Sequence, residues 1–220
     1  MLLEKERKKV IEIALKAQKE KLVPLTFGNF SIRDKETNYV CVTPSGIPYE
    51  DLHPSDITVV DLDNNVIDGE RKQSSETPMH LAVYKVREDV CAVVHTHSTY
   101  ATAWACRKIP GMPCITSEAA DLVGGSVEIT PFEIPGTPEL AQSVARVFEG
   151  NNKKVALVGN HGTVAVDSNI DKAYDDSLIL EESAKGAFIA FLLGDVNILD
   201  DSIAEEMKDY TTSNYGQGEN

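Results

Sequence analysis

Ala92-Val93-Val94-His95-Thr96-His97-Ser98 reads as an apolar strand that ends on two histidines. Side chains two apart on a strand share a face. His95 and His97 therefore point the same way from a rigid element, where two imidazoles can chelate a metal. Taken alone, the pair also fits two rings that each make one hydrogen bond in a polar cleft, the commoner circumstance for an H-x-H. Asn160-His161-Gly162 shifts that balance, because His161 follows the apolar run 155–158 and sits at a tight turn beside the sheet. Three imidazoles with a fourth position open form a catalytic zinc arrangement. Of the other histidines, His53 precedes Pro54 in a loop and is expected at the surface. His80, near the start of a helix, is expected to pack.

Working outward, residues 2–20 read as a Lys- and Glu-rich helix with Val10, Ile13, Ala14 and Ala17 on one stripe. Residues 30–33, 39–43 and 57–61 read as short strands, and Asp63-Asn64-Asn65 as a hairpin turn before Val66-Ile67. Pro78 suits the first turn of a helix to about Arg87, with Met79, Ala82, Val83 and Val86 as its buried face. Ser98 is expected to cap a helix through Cys106. Residues 107–126 read as irregular, and 127–132 as a strand. Gly136-Thr137-Pro138-Glu139 is a helix start, with Thr at the cap and Pro at the first position. Strands at 155–158 and 163–166 precede a long helix over 170–193, which Gly194 ends, then a short helix and a polar tail. Helices and strands mix without strict alternation, so the pattern gives α/β or α+β and leaves topology open. With no linker and no fixed-period repeat, residues 1–220 are expected to form a single domain.

Formal charge is −14 over 220 residues. That opposes a general nucleic-acid or anionic-membrane binder, since both need basic surface. It also requires any anion site to be built locally from amides, hydroxyls and a metal. The N-terminus carries no signal-type apolar core and no run approaches a membrane span, so a cytoplasmic protein is expected. Cys41, Cys91, Cys106 and Cys114 form no C-x-x-C pair and are read as free structural thiols.

Seven blocks together resemble the class II aldolase/adducin family. They are 25–31 (LTFGNFS), 43–49 (TPSGIPY), 74–80 (SSETPMH), 93–98 (VVHTHS), 135–140 (PGTPEL), 160–162 (NHG) and 215–217 (YGQ). The resemblance implies a three-layer α+β fold with a central, mostly antiparallel sheet flanked by helices. It also implies a homotetramer with active sites at subunit boundaries. The activity implied is a zinc-dependent aldolase. Such an enzyme cleaves a (deoxy)ketose phosphate such as L-fuculose 1-phosphate to dihydroxyacetone phosphate and an aldehyde, through a metal-bound enediolate. Manganese or cobalt could stand in for zinc. L-ribulose-5-phosphate 4-epimerase, which breaks and remakes the same kind of bond, and a related sugar-phosphate dehydratase are the alternatives. The non-enzymatic adducin branch lacks the zinc histidines.

Carried onto this chain, the resemblance makes His95, His97 and His161 zinc ligands. It makes Glu76 the acid that holds the metal at rest and acts as base when substrate arrives. Without the histidines, Glu76 would read as a helix N-terminal acid favoured by the macrodipole. Thr26, Asn29, Ser45, Gly46, Ser74 and Ser75 match the family's phosphate pocket, although each singly could be a turn or cap residue. The chain departs from the family at 113–121 (PCITSEAAD), where the aldolases carry a tyrosine contributed across a subunit boundary. Glu118 or Asp121 is the candidate replacement, with ordinary loop acids as the other reading. Tyr215 matches the family's C-terminal tyrosine, a phenol that can donate to an alkoxide.

Overall fold

Period-two patterning along β5 (Ala92–Thr96) organises the chain: Ala92 and Val94 join the core on one side, Val93 the core on the other. The computed structural model describes residues 1–214. β5 is an interior strand of a seven-stranded sheet, between β1 and β9. Before it come β1 (Asn29–Arg33), β2 (Val40–Val42), β3 (Thr58–Val60) and β4 (Val66–Asp68). After it, a short ribbon of β6 (Gly111–Met112) and β7 (Val127–Glu128) stands apart from the sheet. β8 (Val155–Val158) and β9 (Gly162–Asp167) complete it. The order is β4-β3-β2-β1-β5-β9-β8, with every pairing antiparallel. The expected hairpin before Val66 closes on Asp61, whose carboxylate accepts from the amides of Asp63 and Asn65.

Helices cover both faces. α1 (Glu4–Lys19), α3 (Thr99–Ala105) and α6 (Ile170–Leu193) bury Val10, Ile13, Trp104, Leu180 and Ala184 against Phe30, Val94 and Ala165. α2 (Thr77–Val86) and α5 (Pro138–Phe148) bury Met79, Val83, Leu140 and Phe148 against Val93, Ala156 and Val164. α4 (Ser117–Val123) and α7 (Asp201–Asn214) pack on each other, with α4 against α6. No described helix is long and apolar enough to cross a membrane. Cys41, Cys91 and Cys114 are buried free thiols, and Cys106 is exposed.

The structure departs from the sequence reading in four places. Residues 107–126 are not wholly irregular: Thr116 accepts the amide of Ala119, Gly124 closes the other end in the left-handed region, and α4 forms between them. The strand expected over 127–132 shortens to Val127–Glu128 with one parallel bridge from Ile129 to Leu157. Pro131 has no N–H to extend it. Helix α2 buries His80, Leu81 and Tyr84 beside Met79 and Val83, while Ala82 and Val86 are half-buried. It packs on both the sheet and α5, which covers a wider arc than one stripe. Ser98 makes no cap hydrogen bond; Glu181 of α6 accepts from the amides of Tyr100 and Ala101 at 2.9 and 2.8 Å instead.

Candidate metal centre

Three elements deliver four side chains to one point. His95 stands on the α2 face of β5, whereas its neighbour Thr96 faces α6 and bonds Thr163 Oγ1 at 2.8 Å. His97 follows the strand end, with its amide donating to Leu22 O at 3.1 Å. His161 sits in the β8–β9 turn, which Asn160 closes at φ 52° and the His161 amide braces on Val158 O. Glu76 enters from the start of α2. Its side chain makes no cap bond to its own helix and is buried facing the sheet.

One ligand atom from each of Glu76, His95, His97 and His161 lies within 4.8 Å of all the others. His95 Nε2 is 3.0 Å from His97 Nε2 and 3.1 Å from Glu76 Oε2, and His161 Nε2 is 3.3 Å from Glu76 Oε1. His95 Nδ1–H donates to Thr163 O at 2.8 Å, so its Nε2 lone pair faces the group. Burial, reinforced by neighbouring His95, brings His97 down to about 3 and His161 to about 4. Both rings are then neutral at neutral pH, the form that binds metal. Burial alone would raise the Glu76 carboxyl. His95, His161 and the Asn29 amide outweigh it and hold the group well below the usual carboxylate range. Glu76 Oε1 and His161 Nδ1 are buried without a hydrogen-bond partner. Convergent neutral imidazoles, one carboxylate and an unsatisfied carboxylate oxygen fit a divalent cation that accepts mixed N and O donors.

Gly162 is shaped by this group. A Cβ there would overlap Thr96 O and stand 3.2 Å from both His95 Cε1 and His97 Cδ2. Gly162→Ala should lower stability by about 1–3 kcal/mol through overpacking. It should also weaken metal retention, because the shift falls on the strand pair that spaces the ligands. Urea unfolding and metal content after dialysis check this; wild-type values in both would contradict it.

Beside the group lies a cavity of about 350 Å³, lined by Thr26, Asn29, Ser45, Gly46, Ser74 and Ser75 together with Glu76, His97 and His161. Among the described residues, no Lys or Arg lines it. Ser45, Gly46 and Ser75 are exposed, and Gly46 holds φ 71° in the turn after β2. Asn29 differs from these five. Its amide donates to Glu76 Oε2 at 2.9 Å and accepts from His80 at 2.6 Å. Phe27, not singled out in the sequence, is exposed with its ring 5.9 Å from His97. A larger cavity of about 840 Å³ includes Arg7, Asp56, Asp68 and Arg71 in its lining. Those charges pair with each other at 2.6 Å (Arg7–Asp68) and 2.7 Å (Arg71–Asp56), leaving no convergent acceptor or donor set.

Glu118 and Asp121 lie on α4 and line neither cavity. Glu118 is exposed, and Asp121 accepts from Thr211 Oγ1 at 2.8 Å. Tyr215 lies outside the described residues. His53 is exposed, whereas His80 is fully buried and joins the Asn29 side chain to Ser31.

Comparison with known proteins gives a consistent result. The pattern of the Class II Aldolase and Adducin N-terminal domain matches residues 8–188. A 5-deoxy-D-ribulose 1-phosphate aldolase of Bacillus thuringiensis serovar kurstaki is 35% identical over 210 residues, covering 94% of this chain and 95% of its own. Among solved structures, an L-fuculose 1-phosphate aldolase superposes with a TM-score of 0.90 at 33% identity, covering 94% of this chain and 96% of that one. An L-fuculose-1-phosphate aldolase from Thermus thermophilus superposes with a TM-score of 0.73 at 26% identity, covering 84% and 93%.

Proposed function

We propose a specific place for this chain within the class II aldolase and adducin family, to which it belongs: an aldolase of deoxyketose 1-phosphates that releases dihydroxyacetone phosphate. The observation that carries the reading is the meeting of Glu76, His95, His97 and His161 at one end of a cavity walled by neutral hydrogen-bond donors. The relatives at 35% and 33% identity are aldolases of deoxyketose 1-phosphates, which favours a lyase over an epimerase or dehydratase.

His95, His97, His161 and Glu76 would hold the cation, with zinc suited to three imidazoles and manganese or cobalt able to replace it. Bound there, a divalent cation supplies Lewis-acid polarisation of the ketose carbonyl. Thr26, Ser45, Gly46, Ser74 and Ser75 hold the phosphate through hydroxyls and amides at the mouth of α2, where free N–H groups favour an anion. Glu76 is the proton carrier. The C4 hydroxyl gives up its proton, the C3–C4 pair moves to C3, and C3 takes a proton, leaving an aldehyde and dihydroxyacetone phosphate. Glu118, Asp121 and Tyr215 are proposed proton donors to the leaving oxygen. Glu118 and Asp121 lie off this chain's own cavity, so a second copy would have to present them. The exposed apolar row Phe188, Ile189, Phe191, Leu192 and Leu193 on α6 supports assembly of copies, proposed here as a homotetramer.

The test is incubation with 5-deoxyribulose 1-phosphate, fuculose 1-phosphate and L-ribulose 5-phosphate. Triose phosphate is followed by NADH oxidation through a coupled dehydrogenase, and epimers by NMR. Triose phosphate from a 1-phosphate is expected. Epimer from the 5-phosphate with no triose phosphate from either 1-phosphate would overturn the reading.

A further inference from the structure

A buried line of hydrogen bonds runs from the metal group into the α2–sheet interface. Asn29 and Ser31, two apart on β1, share the face that meets α2. Glu76 and His80, four apart at the start of α2, share the face that meets β1. The side chains interlock: Glu76 Oε2 to Asn29 Nδ2 at 2.9 Å, Asn29 Oδ1 to His80 Nε2 at 2.6 Å, His80 Nδ1 to Ser31 Oγ at 2.7 Å, and Ser31 Oγ to Tyr84 Oη at 2.7 Å. His80 and Ser31 are fully buried, and Tyr84 nearly so.

The carboxylate sets the protons from Asn29 to Ser31, since burial keeps the His80 ring neutral. An ionised Glu76 only accepts, so the Asn29 atom against it is the NH2 group, and the carbonyl oxygen turns to His80. His80 must then carry its proton on Nε2 and accept on Nδ1, which takes the Ser31 hydroxyl proton. With the Ser31 hydroxyl proton directed at His80, Tyr84 Oη shares its one proton between Ser31 Oγ at 2.7 Å and Ser31 O at 3.1 Å. The far end is anchored by Arg33, whose guanidinium lies 5.2 Å from the Tyr84 ring centroid and donates to the carbonyls of Tyr84, Glu88 and Val90.

We propose that His80 is a positioning residue: as the Nε2–H tautomer it locks the Asn29 amide in the one orientation that donates to Glu76, and so fixes the carboxylate among the three histidines. Asn29 then acts first on the carboxylate and second on any anion in the cavity. Reversal of the amide would set its carbonyl oxygen against Glu76. The inference rests on the proposed role of Glu76, but two of its three tests do not need turnover.

In 15N-histidine-labelled wild-type enzyme, one imidazole should show an Nε2–H resonance with slow exchange, and His80→Gln should remove it. An Nδ1–H tautomer for His80 would overturn the proposal whatever the variants do. His80→Leu fills the space without a donor; His80→Gln places an amide NH2 where Nε2–H stands. His80→Leu should bind zinc about 10–100-fold more weakly in competition with a chromophoric chelator. Its kcat should fall by a similar factor, with KM within about threefold. His80→Gln should recover most of both. Wild-type zinc affinity and kcat in a folded His80→Leu would sink the proposal. A wild-type enzyme that cleaves no ketose 1-phosphate removes the functional reading alone, since tautomer and zinc affinity still decide this one.

Discussion

Glu76→Gln is expected to lower kcat by about 10²–10⁴-fold, the range for loss of a general acid–base. The substitution keeps the shape. The amide oxygen can still accept from Asn29 Nδ2, so packing at the start of α2 is unchanged. The lost property is the negative charge that His95 and His161 stabilise against burial. An amide cannot take the C4 hydroxyl proton, whereas the phosphate contacts proposed for Ser45, Gly46 and Ser75, which line the cavity, are untouched. KM should therefore move far less than kcat. Steady-state rates by triose phosphate release test this, and a kcat within about threefold of wild type would remove Glu76 from proton transfer.

His97→Ala is expected to cost at least about 10³-fold in turnover, by a different route. It removes one of three imidazoles, and among the described residues no other histidine stands ready to replace it: His80 is engaged by Ser31 and Asn29, and His53 is exposed and outside the group. His97 borders the cavity, so truncation enlarges an open space rather than the core. The two hydrophobic layers against the sheet are untouched, and far-UV circular dichroism should stay at wild type. Metal per chain after dialysis should fall to a small fraction of the wild-type value. Retention of a full complement would show that His97 is not a ligand.

Much of this centre is legible in the residues alone. The parity of β5 puts His95 on rigid backbone with His97 just past the strand end, and the N-H-G turn places His161 beside them. Ile170–Leu193 and the Thr137–Pro138 start are readable because cap, first-turn proline and terminal glycine agree with the apolar period. Helix α4 is hidden because its seven residues are too short for periodicity to stand out between prolines and glycines. Ser98 looks like a cap because local chemistry favours Ser there; Glu181, 80 residues away from Ala101, fills that role through tertiary packing. His80 reads as packing because nothing in a linear sequence shows that β1 presents Asn29 and Ser31 to both of its nitrogens. Glu118 and Asp121 stay away from the cavity in one chain, and a role for them needs an arrangement of copies that a single sequence cannot display.

Glu76, His95, His97 and His161 are proposed to bind one catalytic divalent ion. Titration of metal-stripped enzyme with zinc, with triose phosphate release measured at each addition, tests it most directly. Negligible activity is expected at zero zinc, then a linear rise and a plateau at about one zinc per chain, as a single four-ligand site requires. Full activity in the stripped enzyme, or a rise that continues well beyond one equivalent, would contradict it.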